Sequence, residues 1–348
     1  MNWNLRETAV YSLSTKLLGL LLMNFRDEQP YLMDDLGGDF KLYVANHEFE
    51  NKWARTIQNL DSTSLKTIET LKNRFLSLPN KREVHINSGY SFKYLFKKTP
   101  LKELLDIEKS KNLRRFINKA IKFWQFPGLD IEDSVFYYKH GLDRISSRST
   151  EYLKGTDFLD IGSFHGDSAI ALLEFEYRKI HCFDISSKST ERLEFNLNRI
   201  GLNPTKYNSI LAKVGSMKGS SMISNDTGKS NFSDTHHNEI NKAVDYYVPN
   251  ITIDDYCESN NLTPKLMKAD VEGALMDVVL GAKHTIQKNR PILTLAIYHN
   301  PVEFFEVKPF LESIVDNYKF EIRKLTHRTG RNSSHIETFL IGTPIEIC

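Results

Sequence analysis

Phe158-Leu159-Asp160-Ile161-Gly162-Ser163-Phe164-His165-Gly166-Asp167-Ser168 is an apolar run that ends in an acid and enters a glycine-spaced turn. Ser168 to Arg178 then has helical spacing, and Ile180-His181-Cys182-Phe183 is a second apolar run. A strand, turn, helix and strand in about 30 residues make a βαβ unit, whose strands are parallel. The turn therefore lies at the carboxyl end of a strand, where open α/β sheets bind ligands.

The alternation continues downstream. Ser187 reads as the N-cap of a helix that carries Leu193, Leu197 and Ile200 and is closed by Gly201. Leu266-Met267-Lys268-Ala269-Asp270 is a further strand, followed by a helix with Leu275, Val278, Ala282 and Ile286 on one face. Pro291 to Ile297 is apolar throughout, as a strand buried on both faces should be. A helix over Glu303–Asn317 and strands near Phe320–Ile322 and Ile336–Ile341 follow. Gly215 to Lys242, rich in Ser, Asn and Gly, reads as a surface loop inserted between strands.

Upstream the spacing is helical. Leu65, Ile68, Leu71, Phe75 and Leu78 recur every three or four residues, and Leu101 to Trp124 repeats the pattern until Pro127-Gly128. The chain thus divides into a helical region, 1–150, without a catalytic motif, and an α/β domain, 151–348. With 40% hydrophobic and 26% charged residues, the 348-residue chain can bury a large core, which excludes a disordered or low-complexity protein. Lys plus Arg number 46 against 44 Asp plus Glu, and this balance argues against a dedicated nucleic-acid binder. Leu17 to Met23 is too short an apolar run to span a bilayer, so no stable membrane insertion is expected. Cys182, Cys257 and Cys348 are too far apart for a disulfide framework or a zinc motif, which suits a reduced, cytoplasmic protein.

The acids at the strand ends carry the chemistry. Asp184, at the end of the second strand, can accept both ribose hydroxyls of a nucleoside. A pyrophosphate would want three glycines, but Phe164 fills the middle position and Asp160 and Asp167 bring negative charge to the helix start. Acids there suit the cationic amino-acid end of S-adenosylmethionine instead. Lys268 and Asp270 alternate along their strand and share a face, at a cost unless they are paired. Glu272 starts the next helix, where an acid is favoured anyway. Tyr298-His299-Asn300 ends the apolar strand on the same rim, making His299 a candidate general base. Glu337 is placed to reach that rim or to sit on an exposed edge.

These motifs together resemble the FkbM family of S-adenosylmethionine-dependent O-methyltransferases. The resemblance rests on Asp160 to Ser168, Cys182-Phe183-Asp184-Ile185, Thr252-Ile-Asp-Asp255, Lys268-Ala-Asp-Val-Glu-Gly273, Gly281-Ala282, Arg290-Pro291, Ala296 to Asn300 and Glu337-Thr338, in order over about residues 135–342. It implies a class I methyltransferase (Rossmann-like) fold: a seven-stranded, mostly parallel sheet with one antiparallel strand near its edge. It also implies that Asp160, Gly162, Ser163, Gly166, Asp167 and Ser168 form the methionine-binding loop. Asp184 would hold the ribose, where the family commonly has Glu-Pro, and Ile185 and Gly215 would lie by the nucleoside.

The expected reaction is methyl transfer to a hydroxyl of a sugar, glycan or small metabolite. Asp270 or His299 would act as base, Lys268 would orient the acceptor or lower its pKa, and Glu272, Tyr298 and Glu337 would line its site. No metal is assigned, although Asp270, Glu272 and His299 have the donor types of a divalent-cation site. Two other readings remain: a cofactor-binding interaction module without catalysis, and a NAD-dependent oxidoreductase.

Overall fold

The computed structural model describes residues 37–77, 132–224, 245–325 and 335–348. The Leu17–Met23 run, the helix expected over Leu101–Trp124 and the Pro127-Gly128 break fall outside these residues, as does most of the polar insertion. Strands β1 (Asp157–Ile161), β2 (Lys179–Asp184) and β3 (Tyr207–Leu211) belong to one seven-stranded sheet. Strands β4 (Lys213–Val214), β5 (Gly219–Ile223) and β6 (Tyr246–Ile251) form a separate three-stranded sheet. The main sheet is completed by β7 (Leu266–Ala269), β8 (Ile292–Ala296), β9 (Tyr318–Lys324) and β10 (Thr338–Pro344).

The main sheet runs β3-β2-β1-β7-β8-β10-β9, with β10 antiparallel to both of its neighbours. This is the expected class I methyltransferase arrangement. The strand order reverses between β1 and β7, which pair in parallel, and the ladder continues past the strands as Asp270 donates to Ile161 O at 2.9 Å. That junction is the topological switch point, so the glycine turn and Asp270 share one crevice.

Strands β1, β7 and β8 are buried along their whole length, as parallel strands covered on both faces must be. On one face the helices Phe49–Ile57 and Ser62–Ser77 pack with the helix Pro301–Ile314. Phe40 stacks on Phe75 at 4.6 Å and meets Phe304 edge-on at 5.5 Å. The edge strand β9 is partly protected too, because its Ile322 amide donates to the Ser64 hydroxyl at 2.8 Å. No helix among the described residues is long and apolar enough to cross a membrane.

Four local expectations need correction. The helix after the glycine turn ends at Ala171 and tightens to a 3-10 turn over Leu172–Phe175. Its terminal carbonyls are taken by side chains instead of helix amides: Lys139 Nζ donates to Ala171 O, and Tyr177 OH to Ala169 O, both at 3.0 Å. The next N-cap is Ser186, not Ser187; its hydroxyl accepts from Ser189 N. The helix expected through Leu275 and Ile286 is two, Leu275–Leu280 and Lys283–Asn289, parted at Gly281. There the chain crosses so close that a Cβ on Gly281 would lie 2.0 Å from Gly215 O. Finally, Gly219–Ile223, read as loop, pairs with β6, because ladder hydrogen bonds are indifferent to its polar side chains.

Candidate active site

The glycine turn is folded onto the end of β2. Gly162 N and Ser163 N both donate to Phe183 O, at 2.9 and 3.0 Å. Phe164 N donates to Asp184 Oδ2 at 2.9 Å, and Ser186 N to Asp184 Oδ1 at 2.8 Å. Asp184 therefore ties two rim turns together, and each oxygen retains acceptor capacity for a hydroxyl. Burial raises its carboxyl above the usual range, partly offset by those two amides. Gly162 (φ 76°) is needed because a Cβ there would lie 1.7 Å from Asp270 O. Gly166 packs against Leu193 of the next helix.

Asp160 and Lys268 are almost fully buried and form an ion pair at 2.9 Å. Lys268 Nζ also donates to Gly162 O at 2.6 Å, so its ammonium supports the turn from below and is not directed at the Asp270 cluster. Burial raises the Asp160 carboxyl, against the opposing pull of Lys268. Burial also raises Asp167, to about 6, against the pull of Lys268 and with the Asp160 charge adding to the rise. Ser168 Oγ is 2.9 Å from His140 Nε2. Ile185 is half exposed and its carbonyl accepts from Tyr246 OH, while Gly215 N donates to Ile251 O. Both therefore sit where the small sheet joins the rim.

Across the crevice lies a carboxylate–imidazole cluster. His299 Nε2 is 3.3 Å from Asp270 and 3.6 Å from Glu272, and Nδ1 is 3.3 Å from Glu303. Burial opposes the charged ring, but Asp270 and Glu303 outweigh it and raise His299 to about 10. Burial raises Asp270 in turn, yet His299 and Lys268 bring it down to about 2. Tyr298 OH reaches Asp270 Oδ2 at 3.4 Å and Glu337 Oε1 at 3.5 Å. Glu272 and Gly273 do not start the following helix: both have positive φ, and the helix begins at Leu275. Beside Glu303 a cavity of about 400 Å³ is lined by Tyr43, Met276, Asn300, Pro301 and Val302. Among the described residues no group of three His, Cys, Asp or Glu side chains has metal-holding geometry.

Sequence reading missed Glu303 and His140. Glu303 lies four residues after His299 at a helix start, a spacing that brings side chains together and was readable. His140 had no local signal: Lys139, His140 and Gly141 all have positive φ, and the Thr294 hydroxyl holds the His140 carbonyl.

Burial lowers His140 from 6.5 to about 3 and His181 to about 4. Both folded values lie below the unfolded one, so the stability from burying neutral rings is complete above about pH 6.5 and lost as pH falls. His299, raised to about 10, acts oppositely, its contribution being lost as pH rises through that value. Between pH 6 and 4 the melting midpoint of His181→Gln should therefore gain on that of wild type, because the variant has no ring to charge. An unchanged acid limb in the variant would contradict the assignment.

A family model described as the methyltransferase FkbM domain matches residues 160–328. Among solved structures, the methyltransferase FkbM from Methylobacillus flagellatus aligns at 15% identity with a TM-score of 0.55, over 87% of this chain and 60% of that one. The chain thus spans less than two thirds of that protein's length. An O-methyltransferase from Bacillus cereus in complex with SAH aligns at 12% identity and TM-score 0.34, over 79% of this chain and 98% of that one. An rRNA methylase from Streptococcus thermophilus aligns at 10% identity and TM-score 0.37, over 62% of this chain and 97% of that one. No curated protein matches the chain.

Proposed function

We propose, on the premise that residues 160–328 belong to the methyltransferase FkbM family, that the chain methylates a hydroxyl of a sugar, glycan or small metabolite using S-adenosyl-L-methionine. The observation that carries this reading is the joining of the glycine turn to Asp184 at the β1–β7 switch point, opposite the Asp270–His299 cluster. Asp184 would accept from the ribose hydroxyls, with Ile185 and Gly215 beside the nucleoside. The turn Asp160–Ser168 would hold the amino-acid end. Asp160 is paired with Lys268 there and Asp167 adds a second carboxyl, which disfavours a pyrophosphate and supports this cofactor over NAD. When bound, the cofactor supplies a methyl group on a sulfonium, an electrophile that needs positioning more than activation.

The chain's own residues orient the acceptor. His299, its ring held between the Asp270 and Glu303 carboxylates at 3.3 Å, fixes Asp270 by charge. Glu272, Tyr298 and Glu337 complete the acceptor side, and the adjoining cavity of about 400 Å³ suits a small ring or a glycan end. Lys268 is assigned to support the turn. The three thiols are free, in keeping with a cytoplasmic setting.

Calorimetry with S-adenosylmethionine and NAD tests the cofactor directly. Binding of the former alone is expected, and Asp184→Ala should weaken it about 10- to 100-fold through lost hydrogen bonds to a charged group. Binding of NAD alone would favour oxidoreduction. Labelled-methyl transfer to glycan and metabolite extracts then tests the reaction; binding without transfer would favour an interaction module.

A further inference from the structure

We propose that Glu337 takes the proton from the acceptor hydroxyl, held in place by Tyr298 beside Asp270; this rests on the methyl-transfer reading above. His299 makes a poor base. Its two ring nitrogens each face a carboxylate at 3.3 Å, and that pair of charges favours the charged ring, which has no lone pair to offer. Asp270 is held ionised by that ring and makes a weak base.

Glu337 differs in position and in charge. It sits one residue before β10, where Leu325 N at the end of β9 donates to its carbonyl at 2.9 Å. Its φ of 58° is a left-handed conformation that a side chain adopts only at a cost, and such strain gathers at functional sites. The half-buried carboxylate meets the Tyr298 hydroxyl, which Asp270 shares. Asp270, Tyr298 and His299 face it from the ends of β7 and β8, Lys324 from β9, and Ser134 from the helix Asp133–Phe136. Burial and the Asp270 charge raise it to about 7, against Ser134, Lys324 and His299. Two neighbouring carboxyls pushed apart, one to about 2 and one to about 7, mark different roles in proton transfer.

In the step, a lone pair of the acceptor oxygen attacks the methyl carbon and the carbon–sulfur bond breaks, leaving its pair on sulfur. The hydroxyl proton passes to a Glu337 oxygen. The sulfonium becomes a neutral thioether as the carboxylate becomes a neutral acid, so charge is conserved. The proton is afterwards lost to solvent.

Glu337→Gln tests this in two ways. The first needs neither cofactor nor acceptor. A folded pKa raised above the unfolded one means that the Glu337 contribution to stability is fullest at low pH and is lost as pH rises through about 7. The melting midpoint of Glu337→Gln should therefore gain on wild type between pH 5 and 8, and a constant difference would overturn the proposal. The second measures labelled-methyl transfer from S-adenosylmethionine to a deproteinised glycan and metabolite extract across the same pH range. Glu337→Gln should be slower by about 10²- to 10⁴-fold and lose the wild-type rise near neutrality, with cofactor affinity by calorimetry unchanged. A wild-type rate and pH profile in the variant would overturn the role of Glu337 alone. Cofactor binding without transfer by the wild type would instead overturn the methyl-transfer reading, and the proposal with it.

Discussion

Lys268→Met should destabilise the fold by about 3–5 kcal/mol, because it leaves the buried Asp160 carboxylate without a counter-charge. The pair is almost wholly shielded from water, so solvent cannot substitute for the lost ammonium. The Gly162 carbonyl loses its donor as well, and the turn should loosen with it. Removing both charges should be far milder: Asp160→Asn with Lys268→Met is expected to recover most of the loss. Urea unfolding of the two single variants and the double variant measures the coupling directly. A loss below about 1 kcal/mol in Lys268→Met would mean that the pair is hydrated.

Gly162→Ala should cost about 2–5 kcal/mol, the sum of a left-handed residue and a clash with backbone. The added Cβ would lie 1.7 Å from Asp270 O, and neither partner is a flexible side-chain tip. Gly155 and Gly201 provide the controls, since both have positive φ but nothing within 4 Å of a Cβ. Alanine at either should cost only about 1–2 kcal/mol. Cofactor binding should be lost in Gly162→Ala and kept in both controls. Equal losses in all three variants would show that the contact with Asp270 is relieved easily.

Much of the fold was legible because β1, β7 and β8 are buried on both faces and so read as unbroken apolar runs. Asp160, Asp184 and Asp270 were legible as acids at strand ends. Their partners were not, since a charge in a sequence does not announce which opposite charge will meet it. Lys268 and Asp270 share a strand, yet the ammonium bridges to Asp160 on the neighbouring strand, in register with it. The protonation of His299 depends on Glu303, four residues away and readable, and on Asp270, which only the β7–β8 pairing brings near.

By itself the sequence determined the strand–helix alternation, the acid-ended strands and the glycine turn, because periodicity and φ preference act over a few neighbouring residues. Tertiary structure alone decided which acid is paired, which is poised near neutrality and which ring is charged. Those properties depend on burial and on distances between strands that are far apart in the chain, and both arise only when the sheet closes the rim.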